Sequence, residues 1–263
     1  MKGYITYIKN GFMDNTAHKM HVLVAILSNV IYMIILYFLW KSIYSGKDSI
    51  NNLTFNQTMI YMTVVTALVG LFQTYTENYI SCRILFGSIV VDMIKPIDFQ
   101  MQVFCRGLGT MIFNFGVISV PVIILSIVVF QLHYVIGLNI IFAIVALVNA
   151  VILCSTLDFT VGLVSFYTES IWGITVIKEV LVATMAGVYV PLEFYPDKIR
   201  NVINLLPFRS IYHTPLTLMI NNSYSMPEMI HLVLNQLFWV VIFLVVSRRL
   251  FNLAFKNIIC NGG

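Results

Sequence analysis

Six separate stretches of this sequence run for about 20 residues with almost no charge, the length an α-helix needs to cross the hydrocarbon of a bilayer. They cover roughly His21–Trp40, Thr58–Thr76, Leu108–Phe130, Leu138–Ser165, Ile171–Val190 and Met229–Val246. Backbone polar groups in lipid must be satisfied internally, so such runs dictate helices. The runs are continuous rather than alternating, which argues against a membrane β-barrel. Composition agrees, with 59% hydrophobic and only 10% charged residues, where a soluble domain carries about 25% charged. We read an all-α membrane protein with six transmembrane helices, forming a single transmembrane domain over residues 1–263.

Six crossings put both ends on one side. With the N-terminus inside, the inner segments hold the larger share of Lys and Arg, including Lys9, Arg83, Lys95, Arg106, Arg248 and Arg249. Positive residues concentrate on the cytoplasmic side, so both termini are expected there. The first apolar run is long enough to span, so no cleavable signal is expected. Trp40 and Trp172 fall at expected interfaces, where tryptophan anchors sit.

Three segments between the runs are amphipathic. In residues 1–20, Ile5, Ile8, Phe12 and Met13 can share one face of an interfacial helix, although Gly11 weakens it. In residues 79–105, Ile84, Leu85, Ile89, Met93 and Ile94 can form a helical face that ends at Lys95-Pro96. This inner element either lies on the membrane or docks a soluble partner. In residues 188–208, Ile199, Val202, Ile203 and Leu206 form one stripe bounded by Pro196 and Pro207. That outer helix is too short to span. It either caps the bundle at the interface or belongs to a re-entrant hairpin that closes a pathway.

Charges inside spans are costly and by default mark function or a buried pair. Asp158 lies in the fourth run, and Lys178 and Glu179 lie in the fifth. The turn between them should centre on Thr168-Glu169-Ser170. Asp158 and Lys178 then sit at equal depth, about 15 Å from the turn at 1.5 Å per residue. We expect them to pair across the hairpin, the alternative being that each faces a wet inner cavity. Glu179 is left as a pathway charge.

The sequence has no Gly-x-x-x-x-Gly-Lys-Ser/Thr phosphate loop, so no ATP site is expected in this chain, and no catalytic motif is visible. Cys82, Cys105, Cys154 and Cys260 lack metal or redox spacing, and His18, His21, His133, His213 and His231 are scattered. No metal, cofactor or nucleic-acid partner is expected.

Two motifs, taken with the span count, resemble a known family. The first is Arg83…Gly87-Ser88…Met93-Ile94-Lys95-Pro96 after the second run. The second is Gly187-Val-Tyr-Val-Pro191…Tyr195-Pro196…Leu206-Pro207-Phe208 after the fifth. In this order, after an N-terminal interfacial helix, they resemble the membrane permease subunits of ABC-2 type exporters, over essentially the whole chain.

The resemblance implies a permease working with a second permease, identical or related, and with two cytoplasmic ATPase subunits that bind ATP and Mg. It implies a bacterial plasma membrane location. Arg83, Gly87, Ile94, Lys95 and Pro96 would receive ATPase motion, and Pro191, Glu193, Pro196, Pro207 and Phe208 would form the outer gate. Substrates would be drugs, antibiotics, peptides or lipid-like molecules moved outward. The competing classes are an ion-coupled carrier or channel, which often shows inverted repeats, and a membrane-embedded enzyme. No repeat and no facial cluster of acids or histidines is evident.

Overall fold

A computed structural model describes residues 2–17, 19–51, 53–132, 139–220 and 224–255. His18, His133, Cys260 and the start of the expected fourth run at Leu138 lie outside them. Among the described residues the regular structure is helical apart from a hairpin of two two-residue strands, Ser49–Ile50 against Leu53–Thr54. The helices are α1 (Lys2–Thr16), α2 (Lys19–Ile43), α3 (Phe55–Phe72), α4 (Thr76–Leu85), α5 (Ile89–Ile94) and α6 (Phe99–Asn114). They continue as α7 (Val120–Val128), α8 (Ile140–Leu163), α9 (Trp172–Met185), α10 (Asp197–Asn204), α11 (Arg209–Ile220) and α12 (Met226–Phe255).

Five stretches among the described residues are long and apolar enough to cross a membrane: Val22–Ile43, Phe55–Leu85, Phe99–Val128, Ile140–Phe166 and Met226–Ala254. The remaining expected crossing, the fifth run at Ile171–Val190, is α9, only 14 residues long, or about 21 Å at 1.5 Å per residue. Its end is chemically specified. Gly187 takes φ +75, its N–H donates to Thr184 O, and Val188 N–H donates to Ala183 O. This is a Schellman motif, which stops a helix wherever glycine supplies the left-handed turn. The expected helix to Val190 therefore ends five residues early.

The bundle is built around α3. Burial reaches 78% of the most apolar window of Phe55–Leu85, against 11% of that of Val22–Ile43, so α3 is central and α2 peripheral. A capping box starts α3. Gln57 N–H donates to Thr54 Oγ1 at 3.3 Å, and Thr54 N–H donates to Gln57 Oε1 at 3.0 Å. Thr58, one turn on, is fully buried and shares a 2.7 Å hydrogen bond with Tyr44 Oη. Trp40 is only 5% exposed and packs on Tyr44 and Phe194. It is a core residue rather than the expected interfacial anchor, whereas Trp172 is exposed.

The third crossing is continuous but irregular. A π-helical turn, Phe115–Ser119, joins α6 to α7, and Pro121 follows at once. Proline cannot donate to the carbonyl four residues back and its ring collides with it, so the widened turn accommodates the ring. The bulge also places Ser119, whose hydroxyl donates to Ala67 O of α3 at 2.8 Å.

One end of the bundle gathers α1, α4, α5, the start of α6 and the end of α12. Phe99, Phe159 and Phe251 meet there with ring centroids 5.8–6.2 Å apart. The opposite end gathers the Ser49–Thr54 hairpin, α10 and the start of α11. The twelve residues of α11 were not expected to be helical, yet Ser210–Leu218 are all buried against α3, α8 and α12. Gln236 of α12 stitches this region, donating to Ala146 O and Ser210 O, both at 2.8 Å. Gln236→Leu keeps the volume and removes both bonds, so a loss of about 1–2 kcal/mol is expected. A lower thermal unfolding midpoint in detergent checks this; an unchanged midpoint contradicts it.

Candidate functional site

Two buried carboxylates and a partly buried lysine, from three helices, meet inside the bundle. Lys178 Nζ of α9 lies 2.8 Å from Asp158 Oδ1 of α8 and 2.9 Å from Glu77 Oε1 of α4. Asp158 is 4% exposed and Glu77 2%. The expected Asp158–Lys178 pair is present, and Glu77 is the member that sequence reasoning missed. Asp158 Oδ2 also accepts a 3.4 Å bond from Thr74 Oγ1. Glu179 is exposed on α9 and forms no part of the ion pair.

The backbone is broken beside these charges. Between α3 and α4 the chain leaves helical geometry at Gln73–Tyr75, and Tyr75 adopts φ +50. Such a break in a crossing helix needs partners for the freed backbone groups. Asn114 of α6 supplies one, donating to Gln73 O at 2.9 Å. Next to the break lies a cavity of about 400 Å³, lined in part by Glu77, Asp158, Lys178, Glu179, Tyr75 and Tyr212.

At the α5 end, Arg83 and Lys95 do not point freely outward. Both bind Asp92, which is 2% exposed, at 2.5 and 2.7 Å. Gln102 donates to Asp92 O at 2.9 Å and accepts from Tyr7 Oη at 2.7 Å, tying α5 to α6 and α1. Gly87 has φ +68 and splits the expected single helical face into α4 and α5. Ile89 and Met93 turn inward, while Leu85, Phe86, Val91 and Ile94 are exposed, Ile94 by 79%. Pro96 is exposed beside them. Gly11, expected to weaken α1, instead permits contact. A Cβ there would stand 2.0 Å from Arg106 O, and one on Gly109 2.0 Å from Ile8 O. The opposite side of α1 leaves Ile5, Phe12 and Met13 exposed.

At the other end, Pro191 and Pro207 are buried, Pro196 is the exposed N-cap of α10, and Phe208 packs on the main core. The α10 stripe divides: Ile203 is buried, while Ile199 and Val202 are exposed. Asp197 and Arg200 pair on its polar side. Tyr61 Oη donates to Gly187 O at 2.9 Å. Glu193 Oε1 lies 3.4 Å from His213 Nε2, and Arg209 Nε donates to His213 Nδ1 at 3.3 Å. An Nδ1 that accepts from arginine carries no proton, so His213 is neutral and presents Nε2–H to Glu193. Burial pushes the imidazole below its ordinary pKa, Glu193 opposing and Arg209 reinforcing the shift. Burial pushes the Glu193 carboxyl up, but the hydrogen bond from His213, helped by a backbone hydrogen bond and the Arg209 charge, holds it below the usual range.

Both shifts cost stability on the acid side. Below the ordinary imidazole pKa of about 6.5 the unfolded chain takes a proton that folded His213 refuses. The Glu193 contribution is complete above the ordinary carboxyl pKa and is lost as pH falls through its depressed folded value. The unfolding midpoint should therefore drop between about pH 7 and 5, and His213→Asn should flatten that drop. Equal slopes in variant and parent would contradict this.

Among the described residues no group of three or more His, Cys, Asp or Glu is arranged to hold a metal ion. The profile of the family described as ABC-2 family transporter protein matches residues 30–261, well over half the chain. The chain belongs to the ABC-2 transporter family. It is thus a multi-pass membrane protein whose role is transport rather than catalysis, and family membership implies association with ABC ATPase components. The matched residues contain the Glu77–Lys178–Asp158 centre, the Asp92 cluster and the Pro191–Phe208 segment. Searched against the curated proteins, this ABC-2 chain finds no match.

Proposed function

We propose that the chain is the permease of an ATP-driven exporter in a bacterial plasma membrane, with both termini in the cytoplasm. It pairs with a second permease, identical or related. Two cytoplasmic ATPase subunits supply the ATP and Mg chemistry. The single observation that carries this reading is the family match over residues 30–261. The arrangement of the α5 end supports it. Leu85, Phe86, Val91 and Ile94 offer an apolar patch, flanked by Arg83 and Lys95, on a surface braced by Asp92 and Gln102. Gly87 and Pro96 bound α5, so force on this short element reaches α4 and α6 directly. Through α4 it reaches Glu77.

In the same reading the segment from Pro191 to Phe208 is the outer gate, extended inward by α11. Glu193 anchors it through His213. Substrates are drug, antibiotic, peptide or lipid-like molecules.

The test is to purify the tagged chain in mild detergent from its host and assay Mg-dependent ATP hydrolysis. Activity should travel with the tagged chain and be stripped by Ile94→Asp, which buries a charge in the proposed contact. Activity no higher than in an untagged preparation, or unaffected by Ile94→Asp, would count against the reading.

A further inference from the structure

The charges around the central cavity do not balance. Its walls carry three carboxylates, Glu77, Asp158 and Glu179, and one ammonium, Lys178. A structural pair needs one acid for one base. Lys178 already has Asp158 at 2.8 Å, so Glu77 at 2.9 Å is surplus. Its second oxygen, Oε2, is buried with no hydrogen-bond partner. A buried carboxylate oxygen left unpaired is costly, and its cost is relieved by a donor or a cation.

The rest of the wall fits the body of such a cation. Tyr32, Tyr75, Tyr189 and Tyr212 line it alongside Val69 and Leu157. Aromatic faces attract onium and ammonium groups, and apolar walls take up hydrocarbon. At about 400 Å³ the cavity is in the size range of drug-like ligands. Gln73, Thr74 and Tyr75, which interrupt the α3–α4 crossing, form part of its lining.

We propose that this cavity binds an organic cation with an apolar or aromatic body, an amine or onium compound, with Glu77 as its counter-charge and Glu179 as a second carboxylate at the wall. That the bound cation is cargo rests on the export reading above. The binding itself does not.

The test uses equilibrium binding to the full chain in lipid nanodiscs, which reads the cavity without ATP or turnover. The probes are tetraphenylphosphonium and tetraphenylborate, alike in shape and opposite in charge. The cation should bind saturably, the anion should not, and Glu77→Gln should weaken the cation about tenfold or more. Glu77→Gln leaves the neutral Asp158–Lys178 pair intact, so the fold is retained. Glu179→Gln, on an exposed helix position, should weaken binding to a smaller degree. Equal binding of the two probes overturns the proposal, as does cation affinity unchanged in both variants. A tagged chain that binds the cation but carries no ATPase would overturn the export reading alone.

Discussion

Lys178→Ala is expected to be among the most damaging single substitutions in the bundle. It removes the base that pairs with both acids of the centre, Glu77 and Asp158, which are 2% and 4% exposed. Removing one partner of a buried pair costs about 3–5 kcal/mol, because the charge left behind has no compensation. Here two carboxylates are stranded rather than one. The order of rescue is therefore diagnostic. Adding Asp158→Asn to Lys178→Ala should recover part of the loss, and adding Glu77→Gln as well should recover most of the remainder. Thermal unfolding in detergent, with expression level as a second readout, reads this series. Full recovery with Asp158→Asn alone would show that Glu77 is not part of the centre.

Gly109→Ala is expected to detach α1 from α6. The new Cβ would stand 2.0 Å from Ile8 O and 2.8 Å from Phe12 N, both backbone atoms that cannot turn aside. The two helices must separate. Overpacking of this kind costs about 1–3 kcal/mol or more. Contacts that depend on the close approach should go with it, namely Tyr7 to Gln102 and Asn15 to Thr110. Gly116→Ala, where a Cβ meets nothing within 4 Å, is the matched control. Hydrogen exchange of residues 2–16 should rise sharply in Gly109→Ala and stay near the parent value in Gly116→Ala. Similar exchange in both would mean that the glycine contact does not hold α1.

Five of the six expected crossings were legible because lipid imposes one requirement, a long apolar run, and that requirement is written in single residues. The Asp158–Lys178 pair was legible for a related reason: two charges at equal distance from one turn lie at one depth. Glu77 was not. It stands one residue beyond the expected end of the second run at Thr76, and Gln73-Thr74-Tyr75 lies just inside that end. In the folded chain that triplet is a break within a crossing that continues to Leu85. What rescues its backbone, Asn114 donating to Gln73 O, comes from a different helix.

Other features failed for equally specific reasons. Helix α11 reads as a loop because Arg209, Ser210, His213 and Pro215 are loop residues by composition. Its burial comes from α3 and α8, far off in sequence. Gly11 reads as a weak point in α1 by propensity, whereas its role is the approach to Arg106 O. Arg83 and Lys95, proposed above to receive ATPase motion, were visible as motif positions, but their shared partner Asp92 was not, since it falls between them on a segment whose bend is made by Gly87.

The central claim is that this chain is one part of an ATP-powered assembly. The most direct measurement is the identity and stoichiometry of the chains that co-purify with it in mild detergent, read by mass spectrometry. We predict a soluble chain carrying a phosphate loop at near-equal amount, together with a second permease or a second copy of this one. A chain that purifies alone, under conditions in which a known ABC complex stays whole, would contradict the account and leave the Glu77–Lys178–Asp158 centre to be understood as part of an ion-coupled carrier.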